Sequence, residues 1–290
     1  MTIENAERYR GLFPACPTLL TKEETLDEEA QRRLYRMNAD AGVNGFWMFG
    51  SGGEGLTLDD ATRRRALEVL FDELGDDFPV IAGISAEGTH RTMERWNAIA
   101  DLPIDSVFAT PPIYYGYHQN ELRHYFESLI TLTGKPVFVY HNPFFTKNRL
   151  TLENVLSLAQ IPGIAGAKDS TNEIAETQRI RWGTPDDFVL FQGNEELIAV
   201  SQTIGLESFV SVVSASNPEL FMRAVSFGPN ADPSESMRVQ REVNEYLDRI
   251  GVATAVNEGE FVGSVKRELQ RNGYGNGHLT EPWLGLTDAR

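Results

Sequence analysis

Short apolar segments rich in β-branched and aromatic residues alternate along the chain with longer segments whose apolar positions recur every three or four residues. Short apolar runs are typical of strands in a parallel sheet, and the longer period is typical of helices with one apolar face. The pattern predicts eight strands, at residues 12–19, 45–49, 79–83, 106–109, 136–140, 164–168, 188–192 and 208–213. It predicts a helix after each strand, at residues 27–41, 59–74, 89–100, 120–133, 151–159, 173–182, 197–204 and 217–227.

Eight strand–helix repeats within about 230 residues match an α/β fold of the (β/α)8 TIM barrel type in count and length. A doubly wound parallel sheet is the alternative that the same alternation allows. No long linker rich in Pro, Gly or Ser separates the repeats, so residues 1–228 are predicted to form one barrel. Helical patterns at 234–250 and 254–271, followed by a Gly-rich tail at 273–277, predict that residues 229–290 form a C-terminal helical extension packed on the barrel.

Composition narrows the class of protein further. The 290 residues are 41% hydrophobic, which excludes disordered, collagen-like and disulfide-scaffold proteins. A formal net charge of −16 repels nucleic-acid backbones and anionic lipids, so no nucleic-acid or membrane partner is expected. Cys16 is the single cysteine and no Cys/His spacing suits zinc, so neither an internal disulfide nor a metal is expected. The polar N-terminus and the lack of a run of ~18 apolar residues predict a cytoplasmic location.

Catalytic groups of such a barrel lie where strands end and loops begin, because that face gathers residues from distant parts of the chain. Lys168 follows an apolar run at residues 164–167, so its amine is expected at the barrel mouth with a buried stem. The chain has only 5 Lys beside 21 Arg, so a lysine at a strand end is unusual for it. Burial favours a neutral amine, which is a nucleophile toward a carbonyl carbon. The alternative is a structural lysine paired with Asp169 on a loop.

Three tyrosines are candidates for proton transfer. Tyr140 ends the fifth predicted strand, with its phenol facing either the barrel mouth or the outer layer. A tyrosine hydroxyl held near a Schiff base can relay a proton, whereas the alternative is a buried aromatic residue with one satisfied hydroxyl. Tyr114 and Tyr115 follow a proline pair, so a rigid loop presents them and either is a candidate for the same role.

Residues 50–55 match the spacing GxGxxG and so raise a dinucleotide-binding hypothesis. The next helix begins several residues beyond the last glycine, and Glu54 would place a carboxylate beside a pyrophosphate, which disfavours that hypothesis. Glycine N–H groups and the Ser51 hydroxyl instead form a cradle that suits the carboxylate of a keto acid.

Two acids, Glu195 and Glu196, follow Gly193 at the end of the seventh predicted strand. Adjacent carboxylates there can accept hydrogen bonds from sugar hydroxyls. The alternative is a pair of solvated acids in the first turn of the seventh helix. The five histidines have no metal-ligand spacing, and no role is assigned to them.

In this order, the strand-end segments resemble the N-acetylneuraminate lyase and dihydrodipicolinate synthase superfamily of pyruvate-dependent class I aldolases. The resemblance extends from about residue 12 to the helices beyond residue 217, and it includes the C-terminal helical extension. It depends on a combination of motifs that are weak singly: Gly-Ser-x-Gly-Glu at 50–54, Pro-x-Tyr-Tyr at 112–115, the tyrosine and proline of 140–143, and Gly-x-Lys-Asp at 166–169.

The resemblance implies a role for each matching residue. Lys168 would form a Schiff base with the keto carbon of pyruvate or of the keto acid substrate, without a cofactor. Tyr140 would move the proton, and Tyr114 would reach across a subunit interface to complete the relay in a homotetramer built from tight dimers. Ser51 and the Gly52 amide would hold the carboxylate, although relatives often carry a hydroxyl residue at the position of Gly52.

A second departure from the family bears on the substrate. Dihydrodipicolinate synthases typically carry an arginine where Phe145 stands, so a role in lysine biosynthesis is disfavoured. Lyases of the family contact polyhydroxylated chains with residues at the positions of Ser170, Gly193, Glu195, Glu196 and Ser211. The favoured prediction is therefore cleavage of a 2-keto-3-deoxy sugar acid, of the 2-keto-3-deoxygluconate type, to pyruvate and an aldehyde.

Three alternatives stay open. A 2-keto-3-deoxy sugar acid dehydratase would use the same Lys168 imine, and so would a 4-hydroxy-tetrahydrodipicolinate synthase. The third alternative is a protein without catalysis, a sensor or scaffold that binds a keto acid, because a fold does not determine a function. The retention of both Lys168 and Tyr140 argues against the third alternative.

Overall fold

The strands form one parallel sheet that curls into a nearly closed barrel. The computed structural model describes residues 6–228 and 231–284. The strands are β1 (Gly11–Pro14), β2 (Phe46–Met48), β3 (Val80–Gly83), β4 (Ser106–Ala109), β5 (Val137–His141), β6 (Ile164–Asp169), β7 (Val189–Gln192) and β8 (Ser208–Ser211). They pair in the order β1-β8-β7-β6-β5-β4-β3-β2. This order confirms the predicted barrel.

A helix follows each strand and packs on the outside of the sheet. These helices are α1 (Glu28–Asp40), α2 (Asp60–Leu74), α3 (Thr89–Asn97), α4 (Gln119–Thr133), α5 (Leu152–Leu158), α6 (Ile174–Gly183), α7 (Ile198–Thr203) and α8 (Pro218–Val225). Two more follow, α9 (Pro233–Ile250) and α10 (Glu258–Arg271). Asp27 and Asp59 cap α1 and α2, because each side chain accepts a hydrogen bond from the N–H group three residues later.

Several predicted boundaries are wrong, and three of them have a clear local reason. The strand predicted at 12–19 ends at Pro14, before Pro17, which has no N–H group to donate to a neighbouring strand. The strand predicted at 208–213 ends at Ser211, whose hydroxyl accepts from the N–H group of Ser214 and begins a 3-10 turn. The helix predicted at 254–271 begins at Glu258, because Asn257 caps it.

Asn44 joins the first two strands and so completes the cylinder. Its side-chain oxygen accepts from the N–H group of Leu12 at 2.9 Å, and its own N–H group donates to the Leu12 carbonyl at 2.9 Å. Gly11, at φ +96°, leaves the room for this side chain, because a Cβ atom there would lie 2.0 Å from the Asn44 oxygen. The alternative of an open, doubly wound sheet is therefore wrong.

Aromatic side chains fill the inside of the barrel. Trp47 stacks on Phe108 with the ring centroids 4.1 Å apart, and the other rings that fill the interior belong to Phe13, Phe138 and Phe191. Gly45 and Gly83 make room for them, because a Cβ atom at either position would lie within 2.4 Å of a ring carbon. This packed layer forms an apolar floor beneath the carboxyl ends of the strands.

The C-terminal helices pack on the barrel. Helix α9 contacts α7 and α8, and α10 contacts the 3-10 turn Val213–Ser216 that follows β8. The predicted division at residue 228 falls beside residues 229–230, which lie outside the described residues. None of the helices in residues 6–228 and 231–284 combines the length and apolarity needed to cross a membrane.

Candidate active site

A cavity of about 500 Å³ opens at the carboxyl ends of the strands. Eight of the residues singled out from the sequence line it: Ser51, Gly52, Tyr140, Lys168, Ser170, Gly193, Glu195 and Glu196. Ser211 contacts the cavity wall through Glu195, whereas Tyr114 is not among the lining residues of the described chain. Side chains predicted separately from five strand ends are thus brought to one place.

Lys168 projects from β6 into the cavity. Its side chain is buried, with 6% of the residue exposed, and Nζ lies 4.6 Å from the centre of the Tyr140 ring and 5.6 Å from that of Trp47. Among the described residues it forms no ion pair. The amine is thus held against aromatic faces rather than against a carboxylate.

Asp169 points to the other side of β6, because successive strand residues face opposite sides of a sheet. It accepts hydrogen bonds from the Thr177 hydroxyl at 2.7 Å and the Thr171 N–H group at 3.0 Å, and His141 Nδ1 lies 3.6 Å away. Burial would raise the pKa of the Asp169 carboxyl, but His141, Thr177 and Thr171 together lower it. The alternative interpretation of Lys168 as the partner of Asp169 is wrong.

The Tyr140 hydroxyl is surrounded by hydrogen-bond donors. The Asn142 side-chain amide donates to it at 3.0 Å, and the Ser170 hydroxyl lies at 3.5 Å. Burial would raise the pKa of Tyr140, but the Lys168 charge and hydrogen bonds from Ser170, Ser51 and Asn142 outweigh burial and lower it. The phenol is therefore predisposed to carry negative charge.

The loop after β2 forms a 3-10 turn, Ser51–Gly53, at the rim of the cavity. The N–H groups of Gly53 and Glu54 close the turn, which leaves the N–H groups of Ser51 and Gly52 at its open end. A Cβ atom at Gly52 would lie 2.5 Å from the Val212 side chain. Val212 therefore occupies the space that a side chain at position 52 would need.

The two adjacent acids have different environments. Glu195 is 9% exposed and accepts a hydrogen bond from the Ser211 hydroxyl at 2.8 Å, while Glu196 is exposed at the cavity edge. Burial raises the pKa of Glu195, although hydrogen bonds from Ser211 and from backbone N–H groups oppose the rise. The interpretation of both acids as solvated first-turn residues is wrong for Glu195.

The sequence patterns do not single out two residues of the cavity. Glu258, the first residue of α10, lines the cavity together with Ser51. Burial raises the pKa of Glu258, while Ser51 and Lys168 lower it and Glu195 raises it further. Asn142 is the other, and its contact with Tyr140 depends on side-chain geometry that no spacing reveals. Only the packing of α10 over the mouth brings Glu258 to this site.

Tyr114 lies outside the cavity of its own chain. Its backbone has φ +81°, which is strained for a residue other than glycine, and 68% of the residue is exposed. Its ring meets the edge of the Tyr115 ring, and Lys147 Nζ lies 5.5 Å from its centre. The loop thus holds an aromatic side chain outward.

Within the part of the chain that the structure describes, no three His, Cys, Asp or Glu side chains come together as a set of metal ligands. The charged residues that line the cavity are Lys168, Glu195, Glu196 and Glu258. The cavity therefore combines one amine with three carboxyl groups.

Comparison with known proteins extends this picture. The model of the dihydrodipicolinate synthetase family matches residues 8–289. An uncharacterised DapA-like lyase of Halobacterium salinarum is 30% identical over 278 residues, which cover 96% of this chain and 89% of that protein. The N-acetylneuraminate lyase of Citrobacter koseri is 27% identical over 255 residues, 88% of this chain and 85% of the relative. A lysine mutant of the sialic acid aldolase of Ruminococcus gnavus has the same fold, with a TM-score of 0.90 at 22% identity over 99% of this chain and 93% of that one.

Proposed function

Since this chain belongs to the dihydrodipicolinate synthetase family of pyruvate-dependent carbon–carbon lyases, we propose that it cleaves a 2-keto-3-deoxy sugar acid to pyruvate and an aldehyde. The observation that carries the proposal is the buried Lys168 amine, which forms no ion pair among the described residues and lies beside the Tyr140 phenol. The N-acetylneuraminate lyase relative supports the substrate class, because N-acetylneuraminate is itself a 2-keto-3-deoxy sugar acid.

Lys168 is the nucleophile in this proposal. Its neutral amine attacks the C2 carbonyl carbon, and loss of water from the carbinolamine gives a protonated imine. The imine nitrogen then takes the electron pair of the C3–C4 bond as that bond breaks, which releases the aldehyde and leaves an enamine. Protonation of the enamine at C3 and hydrolysis of the imine release pyruvate and restore the amine.

Tyr140 is the proton carrier of the same sequence. The C4 hydroxyl must lose its proton as the C3–C4 bond breaks, and the Tyr140 oxygen is poised to accept it. The donors around that oxygen stabilise a phenolate, and the lowered pKa of Tyr140 also favours the phenolate. The proton then returns to C3 of the enamine, so Tyr140 ends in its starting state.

The substrate carboxylate occupies the loop after β2 in this arrangement. The Ser51 hydroxyl and the N–H groups at the open end of the turn supply the donors. Glycine at position 52 provides an N–H group without a side chain, and Val212 fills the adjoining space. Binding of the substrate carboxylate therefore depends on backbone N–H groups more than on hydroxyl side chains.

The distal half of the substrate is expected to be neutral and rich in hydroxyl groups. The acids that line the cavity can accept hydrogen bonds from a polyol, and Lys168, which the imine consumes, is the only cation among the described lining residues. Phe145 supplies an apolar surface at the position where dihydrodipicolinate synthases carry arginine. A phosphate or a second carboxylate would therefore meet repulsion there.

Dehydration of the same substrate class is the second candidate, and Glu195 favours it. Burial raises the pKa of Glu195, so its carboxyl group has an increased tendency to remain protonated. In that reaction the imine loses a proton from C3 instead of breaking the C3–C4 bond, which gives an enamine that still carries C4. A protonated Glu195 carboxyl group can then donate its proton to the C4 hydroxyl as it leaves as water.

A panel assay tests the proposal. Purified protein is incubated with several 2-keto-3-deoxy sugar acids, and with pyruvate plus aspartate semialdehyde as the contrasting synthase reaction. We expect pyruvate to be released from at least one sugar acid. Consumption of a sugar acid without pyruvate would indicate the dehydratase, and no reaction with any sugar acid would contradict the substrate assignment.

The subunit arrangement belongs to the proposal as well. The outward, strained Tyr114 suits a residue that enters the site of a neighbouring copy, in a tight dimer that pairs into a homotetramer. Its absence from the cavity of its own chain has the same explanation.

A further inference from the structure

Asn142 makes two hydrogen bonds that together fix the direction of its side chain. It lies just beyond β5, two residues after Tyr140, and is 4% exposed. Its Oδ1 atom accepts from the N–H group of Phe144 at 3.3 Å, and its Nδ2 atom donates to the Tyr140 hydroxyl oxygen at 3.0 Å. An N–H group can only donate, so the Phe144 bond determines which end of the amide carries oxygen. The amino end therefore points at Tyr140.

The Tyr140 oxygen must act as an acceptor in this contact. A carboxamide NH2 group has no lone pair to offer, so the phenol cannot donate its own proton to Asn142. Pro143 follows directly and restricts Asn142 to an extended backbone, which adds to the rigidity of the turn. The donor is thus held by its own turn rather than by the substrate.

The other groups that face Tyr140 come from different elements. Lys168 and Ser170 approach from β6 and the loop after it, Ser51 from the loop after β2, and the rings of Trp47 and Phe108 pack against the phenol. Two carboxyl groups, those of Glu258 and Glu195, interact with the Lys168 charge, which opposes the rise that burial causes in the pKa of each. Of the polar groups in contact with the phenol oxygen, Asn142 alone is an obligate neutral donor.

We propose that Asn142 is a positioning residue of the proton relay, which holds the Tyr140 oxygen as an acceptor so that it takes the proton of the substrate C4 hydroxyl. This inference rests on the proposed function and adds a residue to it. In the transfer, the substrate O–H bond breaks and a Tyr140 O–H bond forms, while the C3–C4 electron pair passes to the imine. Asn142 keeps its protons throughout and stabilises the phenolate form between turnovers.

Two substitutions of Asn142 distinguish the effect of its hydrogen-bond donor from the effect of its side-chain volume. Asn142→Leu keeps the approximate volume and removes the donor, and Asn142→Asp keeps an acceptor for Phe144 but places a carboxylate against the phenol. The matched control is Asn276→Leu, because the Asn276 oxygen also accepts from the N–H group two residues later, in an exposed segment away from the cavity. The measurement is the pH profile of kcat/KM with a substrate that the panel identifies.

The acidic limb of that profile reports loss of the proton from the base in the free enzyme. Removal of a hydrogen bond to a charged acceptor raises the pKa of the base, so the limb of Asn142→Leu moves to higher pH by about one unit. The limb of Asn142→Asp moves at least as far, and that of Asn276→Leu stays in place. Glu195→Gln and Glu258→Gln show whether a carboxyl group produces the limb instead.

The outcomes distinguish failure of the inference from failure of the proposed function. Trapping of pyruvate on the wild-type protein by borohydride tests the Schiff base itself. If trapping succeeds and Asn142→Leu lowers activity equally at all pH values, Asn142 is merely structural and the inference is overturned. A limb that moves with Glu195→Gln or Glu258→Gln but not with the Asn142 variants overturns it as well. If trapping fails, the proposed function is wrong, and the role inferred for Asn142 is overturned with it.

Discussion

Asp169 is a buried charged residue behind the cavity, and burial of a charge has a desolvation cost that its partners must offset. Asp169 is 1% exposed, and it keeps its charge because the Thr171 N–H group, the Thr177 hydroxyl and His141 face it. It also follows Lys168 directly on β6. A well-anchored Asp169 therefore fixes the strand end from which Lys168 projects.

We expect Asp169→Asn to lower the free energy of unfolding by about 2 kcal/mol, roughly 5 °C in Tm, because hydrogen bonds to a buried charge are weakened. The pKa of Asp169 is lowered in the folded chain, so its contribution is fully present above the unfolded value near 3.8 and is lost as pH falls through the folded value. The Tm difference between variant and wild type is thus constant from about pH 5 to pH 8 and shrinks below pH 4.

The matched control at residue scale is Asp187→Asn, an exposed acid just before β7. We expect it to change stability by less than about 0.5 kcal/mol. An Asp169→Asn variant as stable as the Asp187→Asn variant would show that the Thr177 and Thr171 contacts contribute nothing.

At the scale of elements, helix α10 is tied to the loop that holds the proposed carboxylate site. Lys266 of α10 forms an ion pair with Glu54, and neither side chain is exposed to solvent. The other Glu54 oxygen accepts from the N–H group and hydroxyl of Thr280 at 2.7 and 2.9 Å, and Lys266 donates to the His278 carbonyl at 2.7 Å. The C-terminal extension therefore anchors the loop after β2 and also contributes Glu258 to the cavity.

We expect removal of one charge of this ion pair to lower the free energy of unfolding more than removal of both charges together. Lys266→Met leaves the Glu54 carboxylate buried without a cation and lowers the free energy of unfolding by about 3 kcal/mol. The double variant Glu54→Gln with Lys266→Met has no unpaired charge and recovers most of that loss in Tm. A double variant less stable than Lys266→Met alone would contradict this account of the pair.

The sequence predicts elements well where local chemistry determines them. Apolar runs mark the eight strands, and acids such as Asp27 and Asp59 mark helix starts. The polar ends of the strands then predict most of the cavity, because parallel strands in a barrel all end on one face. The inward direction of Lys168 is the step that pattern alone leaves open, and strand alternation in the folded chain resolves it.

The features that the sequence does not predict all depend on contacts formed only in the folded chain. Glu258 reaches the cavity only because α10 packs across the mouth, a contact between segments far apart in the chain. The role of Asn142 depends on the direction of a single amide, and the early end of β1 depends on where the chain leaves the sheet. None of these is encoded by a period or a local motif.

At the scale of the whole molecule, the outward aromatic loop is the clearest indication of assembly. Tyr114 and Tyr115 are each more than 60% exposed although their rings contact each other, which is unusual for a pair of large aromatic side chains. The strained backbone at Tyr114 requires a compensating benefit, and in the proposed assembly completion of a neighbouring site would supply one.

Mixing two inactive chains tests this arrangement. In a dimer of one Tyr114→Phe chain and one Lys168→Ala chain, the site that keeps Lys168 receives Tyr114 from its neighbour. Co-expression in equal amounts is expected to recover about a quarter of wild-type activity, since half of the dimers are mixed and each has one complete site. The matched control is co-expression of a Lys168→Ala chain with a Tyr140→Phe chain.

In that control, both substituted residues belong to the cavity of a single chain. We expect a mixed dimer of those chains to recover little activity, because each site lacks either Lys168 or Tyr140. Equal activities in the two mixtures would contradict the proposed role of Tyr114, and so would a fully active monomer in light scattering.

The most direct measurement is reduction of the protein with borohydride in the presence of pyruvate, followed by mass analysis of its peptides. We expect a reduced pyruvate adduct on Lys168 and no adduct in Lys168→Met. Lys266 serves as the internal control, because it is at least as buried but is paired with Glu54 outside the cavity. An unmodified Lys168, or an adduct that persists in Lys168→Met, would contradict the claim that this amine is the nucleophile.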